Sequence, residues 1–124
     1  MTLLDSSYWL EYFAGSENCK EYKKEIENIS NVIIPTIIIY EVFKKLLMET
    51  TEDNALIAIA HMELGKVIEI DSEIAISAAK FSVHYKIPMA DSIILSVSKK
   101  FSSKFYTHDE HFSNIPDVIY IPKI

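Results

Sequence analysis

The sequence predicts an α/β fold in which a parallel sheet is covered by helices on both faces. Short runs rich in β-branched residues alternate with longer stretches of helical periodicity along the chain. No two of the short runs are joined by a hairpin signal, so the strands are expected to be parallel and connected by helices. The chain has 124 residues, 49% of them hydrophobic, which is enough for one domain with a sizeable core.

The first half of the chain is predicted to begin with a strand almost at its N-terminus. The first apolar run ends at Asp5, and helical spacing of aromatic residues follows, with Ser6 as the N-cap and Gly15 at the end. Pro35 is expected to stop the second strand, and Thr36 to cap the next helix. The predicted elements of this half are a strand at 2–4, a helix at 6–13, a polar helix at 17–29, a strand at 31–34 and a helix at 37–49.

The second half repeats the alternation of helices and short strands. Asp53 or Asn54 is expected to cap its first helix and Gly65 to end it, while Asp71 or Ser72 caps the second. The predicted elements of this half are a helix from 53 or 54 to about 64, a strand at 66–70, a helix at 73–85, a break at 87–88, a helix at 89–99, and strands at 104–106 and 118–121.

The charge of the chain argues against a generic nucleic-acid binder. The net charge is −6, and all twelve basic residues are lysine. Phosphate backbones are held mainly by cationic side chains, so this chain would need converging acids that hold a cation.

Targeting features are absent from the sequence. No apolar run approaches the roughly 18 residues of a membrane helix, and the first residues do not have the pattern of a signal peptide. The lone Cys19 suits a reducing compartment. We therefore expect a cytoplasmic protein without a membrane partner.

Four acids are predicted to meet at one edge of the sheet. Asp5 follows the first strand, Glu41 and Asp91 lie early in helices, and Asp109 follows the fourth strand. A parallel sheet places the carboxyl ends of its strands and the starts of the following helices on the same rim, where ligands bind. Crowded carboxylates repel one another, and a bound divalent cation is the usual resolution.

Each acid also has a simpler interpretation. Asp5 would cap a helix, Asp91 would favour a helix dipole, and Asp109 would cap a short turn. Glu41 would be an exposed partner of Lys44 or Lys45 on the same helix face.

The segment FYTHDEHF, residues 105–112, raises the question of which metal is bound. Carboxylates are hard oxygen ligands, which suit Mg²⁺ or Mn²⁺ better than zinc. A zinc site on His108 and His111 is the alternative, but no third nitrogen or sulfur ligand is evident. Asp109 is therefore the predicted functional member of the segment, with the two histidines as flanking or surface residues.

Four segments of the chain resemble, in order, the four acidic motifs of PIN domains. They read LLDSSYWLEYF, IPTIIIYEVFKKL, IPMADSIILSVSKK and FYTHDEHFSNI. The chain is most similar in length and layout to the single-domain VapC ribonuclease toxins of VapBC toxin–antitoxin modules. The resemblance implies one PIN-like domain over residues 1–124 and a three-layer α/β/α sandwich around a central parallel sheet.

The resemblance also implies an activity, a metal and partners. Carried over by motif, Asp5, Glu41, Asp91 and Asp109 would hold Mg²⁺ or Mn²⁺ for the cleavage of RNA phosphodiester bonds. Thr107 matches the hydroxyl residue of the T-x-D motif, and Ser6, beside the first acid, is expected to assist the acids. Lys44 and Lys45 are candidate RNA contacts. The implied partners are an inhibiting antitoxin and a second copy of the chain in a homodimer.

Two rival interpretations differ in function. A response-regulator receiver also has an Asp after its first strand, but it needs a pair of acids there, and Ser6 and Ser7 follow Asp5. A degenerate PIN domain would serve only as a protein-interaction module, an interpretation that four intact acids disfavour.

Overall fold

The strands of the protein form one parallel array in a computed structural model that describes residues 1–17, 20 and 22–123. Two pieces, β3-β2 and β1-β4-β5, are joined by a parallel bridge between Thr2 and Val32, which gives the order β3-β2-β1-β4-β5. All the strand pairs are parallel, as predicted. The strands are β1 (Thr2–Leu4), β2 (Ile33–Pro35), β3 (Lys66–Ile68), β4 (Lys104–Thr107) and β5 (Val118–Tyr120).

Helices connect the strands. The third to sixth helices are the longer ones, with 11 to 14 residues each, and 3₁₀ turns at Ile29–Asn31 and Glu110–Phe112 also lie in the connections. None of the helices in the described part of the chain is long and apolar enough to cross a membrane. The helices are α1 (Ser6–Phe13), α2 (Lys23–Glu27), α3 (Thr36–Glu49), α4 (Glu52–Met62), α5 (Ser72–Tyr85) and α6 (Met89–Lys100).

Several helix starts differ from the predicted caps by one to three residues. The cap of α1 is Asp5, not Ser6, because its carboxylate accepts a hydrogen bond from the Ser6 amide. The cap of α4 is Thr51, not Asp53 or Asn54, because its hydroxyl accepts from the Asn54 amide. Candidate cap residues that stand close together compete, and the backbone angles of the preceding loop decide which one is used.

The predicted polar helix at 17–29 is wrong in the described residues. Only Lys23–Glu27 is α-helical there, and this helix ends at Asn28, whose ψ of 57° leaves the helical range. The side chain of the N-cap residue Tyr22 does not cap the helix, and among the described residues of 17–29 packing buries only Tyr22 and Ile26, which is too little to extend so polar a helix. Residues 18, 19 and 21, and with them the lone Cys19, lie outside the described residues.

The core lies between the sheet and the helices. Trp9 of α1 is wholly buried, while Tyr12 and Phe13 are partly buried and contact His61 through their rings. The largest fully buried side chains include Tyr8, Trp9, Phe105, Phe112, Leu3, Leu4, Ile33, Ile34 and Ile38. Most of the large apolar groups near the N-terminus are therefore core residues.

We predict that Gly65→Ala lowers the free energy of unfolding by about 1–3 kcal/mol, because the tight site would be overpacked. A Cβ at Gly65 would lie 2.6 Å from the Ile34 Cδ1 and 3.1 Å from the Val32 carbonyl oxygen. Ile34 is fully buried and has little freedom to move away. Urea denaturation measures the change. Gly15→Ala is the comparison, since its Cβ meets nothing within 4 Å and only its φ of 67° opposes the change. Equal unfolding free energies for Gly65→Ala and the wild type would contradict this packing.

Candidate active site

The candidate site lies where the order of the strands reverses. The chain runs from β1 outward to β2 and β3, then returns to place β4 on the other side of β1. In open parallel sheets, ligands bind in the crevice at the carboxyl ends of the strands beside such a reversal. A cavity of about 280 Å³ opens there, lined by Asp5, Ser6, Ser7, Glu41, Asp91, His108 and Asp109. The structure thus brings together all four acids that the sequence singled out.

A buried threonine connects the acids of β1 and β4. The Thr107 hydroxyl donates to the Asp5 Oδ2 at 2.7 Å and accepts from the Asp109 amide at 3.0 Å. Thr107 has no exposed surface. One side chain therefore fixes the orientation of the Asp5 carboxylate and the path of the chain into Asp109.

Asp5 has two structural roles. Its Oδ1 accepts from the Ser6 amide at 2.8 Å, which caps α1, while its Oδ2 accepts from Thr107. Burial raises the pKa of Asp5, the hydrogen bonds from Thr107 and Ser6 oppose the rise, and the charge of Asp109 adds to it. The sequence left helix capping and cavity lining as alternative roles for Asp5, and the structure shows both.

Glu41 faces the cavity from α3. Among the residues that the structure describes, its buried Oε1 finds no hydrogen-bond partner. Burial, followed by the charges of Asp5 and Asp91, raises the pKa of Glu41 to about 7, although a hydrogen bond from the Ser6 side chain lowers it. An unpaired buried carboxylate oxygen is costly, so this position is suited to a cation.

The lysines near Glu41 have other neighbours. Lys45 pairs with Glu49 at 3.0 Å, and the Lys44 Nζ lies 5.8 Å from the centre of the Tyr40 ring. Both lysines are exposed, and neither lines the cavity. The interpretation of Glu41 as their surface partner is therefore wrong.

Asp91 enters the cavity from the first turn of α6. Burial and then the charge of Asp109 raise the pKa of Asp91 to about 6, and the hydrogen bond with His111 lowers it. From its position at a helix start alone, Asp91 would be explained by the helix dipole. In the structure it also lies next to Asp109 and His111.

His111 is the site residue that the sequence interpretation missed. Its Nδ1 lies 2.9 Å from the Asp91 Oδ2 and 3.1 Å from the Asp109 Oδ1. The charge of Asp109 and the hydrogen bond with Asp91 raise the pKa of His111. The side chain is about half exposed, so the expectation of a surface residue is only partly correct. The sequence did carry one sign that His111 belongs to the site, which is its position two residues after Asp109.

His108 is held differently. Its Nδ1 donates to the Ile121 carbonyl oxygen at 2.7 Å, and its ring stacks on Tyr8 with a centroid distance of 4.2 Å. Its Nε2 lies 4.0 Å from the Glu11 Oε2, and that carboxylate also accepts from the Tyr22 hydroxyl. His108 therefore forms a wall of the cavity.

The donor set fits a divalent cation. Ligand atoms of Asp91, Asp109 and His111 all lie within 4.8 Å of one another. The carboxylates of Asp5 and Glu41 line the same cavity, and one oxygen of Glu41 has no other partner. Oxygen-rich sites of this kind suit hard cations such as Mg²⁺ and Mn²⁺.

We predict that the metal-free protein loses stability as the pH rises from about 4 to about 7. The pKa values of Glu41 and Asp91 lie above their ordinary values, at about 7 and about 6, and that of Asp5 is also raised. The folded state then holds more protons than the unfolded state in this range, so stability falls with pH. The raised pKa of His111 acts in the same direction. Its contribution to stability is complete below pH 6.5 and is lost as the pH rises through the raised pKa.

Thermal melts in chelator at pH 5 and pH 8 measure this dependence, and we expect a drop in Tm of roughly a few degrees. Glu41→Gln, which removes the carboxyl group whose pKa is raised to about 7, is expected to reduce the drop. A variant with the same pH dependence as the wild type would show that the acids do not interact as described.

Comparisons with known proteins agree with this fold. The model of the family described as PIN domain matches residues 2–118. The chain belongs to the PIN-domain family. The resemblance seen in the four acidic motifs is confirmed, and so is the fold of a parallel sheet between layers of helices. A receiver is excluded as the family of this chain.

Solved structures share the fold of this PIN domain at low sequence identity. A toxin–antitoxin complex from Klebsiella pneumoniae gives a TM-score of 0.80 at 22% identity and covers 95% of both chains. VapC20 from Mycobacterium tuberculosis, a toxin that cleaves the sarcin-ricin loop, gives 0.79 at 17% and covers 98% of this chain and 100% of its own. DNA-bound VapBC from Salmonella typhimurium gives 0.78 at 14% and covers 98% of both. No curated protein matches the sequence closely enough to count as a relative.

Proposed function

We propose that this PIN domain is a metal-dependent endoribonuclease and the toxin of a type II toxin–antitoxin system. The observation that carries the proposal is the convergence of Asp5, Glu41, Asp91 and Asp109 in one cavity at the strand reversal. Four carboxylates from four separate segments carry charges of the same sign and do not neutralise one another, which favours a bound cation. The family and the VapBC structures with the same fold support RNA as the substrate.

The four acids would hold Mg²⁺ or Mn²⁺. When bound, the cation supplies positive charge that polarises the scissile phosphate and lowers the pKa of the attacking water. Thr107 and Ser6 act on the protein side: the first holds Asp5 and the Asp109 loop, and the second hydrogen-bonds to Glu41. These supports preorganise the carboxylates before RNA arrives.

RNA would reach the site across a surface with little positive charge. Lys44 and Lys45 lie on the same helix as Glu41 but outside the cavity. We propose that they contact phosphates that flank the cleaved bond, where Lys45 would exchange Glu49 for RNA. A cation held by the acids of the cavity would offset the remaining repulsion between the acidic chain and the phosphates.

Cleavage of total RNA tests the proposal. Wild-type protein is incubated with total RNA and Mg²⁺ or Mn²⁺, and the new ends are mapped by sequencing. Discrete ends that are absent with Asp91→Asn support an endoribonuclease. RNA that stays intact with either metal would favour the competing hypothesis, a degenerate PIN domain that only binds other proteins.

Partners follow from the same proposal. We propose a homodimer in the cytoplasm, which the similarity to VapC toxins implies. We also propose an antitoxin with a basic or amphipathic segment, because the net charge is −6 and the cavity is acidic. Sedimentation of a monomer at about 10–100 µM, which is above the Kd of about 1 µM that a binding free energy of about −8 kcal/mol gives, would remove the dimer. Unchanged cleavage after co-purification with the product of the adjacent reading frame would remove the inhibitor.

A further inference from the structure

The turn that carries His111 is fixed at both ends. Asp109 starts it, and its Oδ1 accepts from the His111 amide at 2.9 Å. Phe112 ends it and is fully buried, with its ring edge-on to Phe105 at a centroid distance of 5.0 Å. The turn therefore holds the imidazole beside Asp91 and Asp109, two residues that line the cavity, although the His111 side chain is half exposed.

The Nδ1 of His111 faces the space between two carboxylates. It lies 2.9 Å from the Asp91 Oδ2 and 3.1 Å from the Asp109 Oδ1. In an octahedral site with metal–ligand distances of about 2.1 Å, neighbouring ligand atoms lie about 3.0 Å apart. The nitrogen thus already lies at the separation of neighbouring ligands from each of the two oxygens, and ligand atoms of the three residues lie within 4.8 Å of one another.

We propose that His111 is a nitrogen ligand of the metal site and that it gives the site a preference for Mn²⁺ over Mg²⁺. The inference rests on the proposed function, because it assumes that the acids hold a divalent cation. Mg²⁺ favours oxygen ligands, whereas imidazole nitrogen suits first-row transition metals. Replacing one oxygen position by nitrogen therefore favours Mn²⁺ and disfavours Mg²⁺.

The neighbouring histidine is excluded from this role by its contacts. The Nδ1 of His108 donates to the Ile121 carbonyl oxygen, and its Nε2 lies towards Glu11. His108 thus has no ring nitrogen between two of the acids. His84, exposed near the end of α5, serves as the matched control for loss of a histidine outside the site.

Metal binding, measured without RNA, tests the inference. Free Mn²⁺ is counted by electron paramagnetic resonance during a titration, and Mg²⁺ affinity is obtained by competition. For His111→Ala we expect about a tenfold loss of Mn²⁺ affinity with Mg²⁺ affinity within about twofold. His84→Ala is expected to match the wild type for both ions.

Spin-echo modulation of the bound Mn²⁺ gives a second readout. Coupling to an imidazole nitrogen is expected in the wild type and in His84→Ala and is lost in His111→Ala. Equal losses of Mn²⁺ and Mg²⁺ affinity, or unchanged affinities without nitrogen coupling, would overturn the ligand role and leave the proposed function standing. Failure of the wild type to bind either ion would overturn both.

Discussion

Asp91→Asn is expected to lower RNA cleavage at saturating metal by at least about 100-fold, since it removes a candidate ligand of the metal. The Asp91 carboxylate does not cap α6, and its hydrogen bond is to His111. It is buried near Asp109, and burial with that charge raises its pKa to about 6. A neutral amide of the same shape relieves this repulsion, so the metal-free variant should be as stable as the wild type or more stable.

Cleavage rates and thermal melts on the same preparations measure both effects. Asp5→Asn is the informative comparison, because the Asp5 carboxylate also caps α1 and accepts from Thr107. It should lose activity to a similar degree but gain less stability than Asp91→Asn. Cleavage by a folded Asp91→Asn protein at the wild-type rate would remove Asp91 from the catalytic site.

Phe112→Ala is expected to lower the free energy of unfolding by about 3–5 kcal/mol. The side chain is fully buried against Phe105, so truncation loses its burial and leaves a cavity. The total free energy of unfolding of such a domain is about 5–15 kcal/mol, so this loss is a large part of it. The same residue anchors the turn of Asp109 and His111, and metal affinity should fall with it.

Urea denaturation of Phe112→Ala, alongside Phe112→Leu and the exposed control Tyr40→Ala, measures the effect. Phe112→Leu retains most of the burial and should lose less. Tyr40 is 59% exposed and its loss should change stability little. If Phe112→Ala and Tyr40→Ala unfold at the same urea concentration, Phe112 does not anchor the turn.

The location of the acids was predictable because it depends on topology. Once the strands are parallel, residues such as Asp5 and Asp109 that follow them lie at one edge, whatever the details of packing. The positions of most helices were predictable from the helical spacing of their apolar residues. The order of the strands did not, since the sequence contains no local signal that places β4 beside β1 rather than beside β3.

Contacts across long distances in the chain were beyond the sequence patterns. Thr107 was singled out by its motif, but its bond to Asp5 joins residues that are 102 positions apart. His111 reaches Asp91 only because the buried Phe112 fixes its turn. The cap of α4 is Thr51 and not the predicted Asp53 or Asn54, because several residues that can cap a helix stand close together and the geometry of the loop decides which one does so.

The response of RNA cleavage to metal removal tests the central claim most directly, which is that the four carboxylates hold a cation needed for catalysis. Purified protein is stripped with chelator, and the cleavage of one defined RNA is followed before and after Mg²⁺ or Mn²⁺ is restored. We expect no cleavage in chelator and recovery with either ion, with Mn²⁺ effective at the lower concentration. Cleavage that continues at an undiminished rate in chelator would contradict the claim.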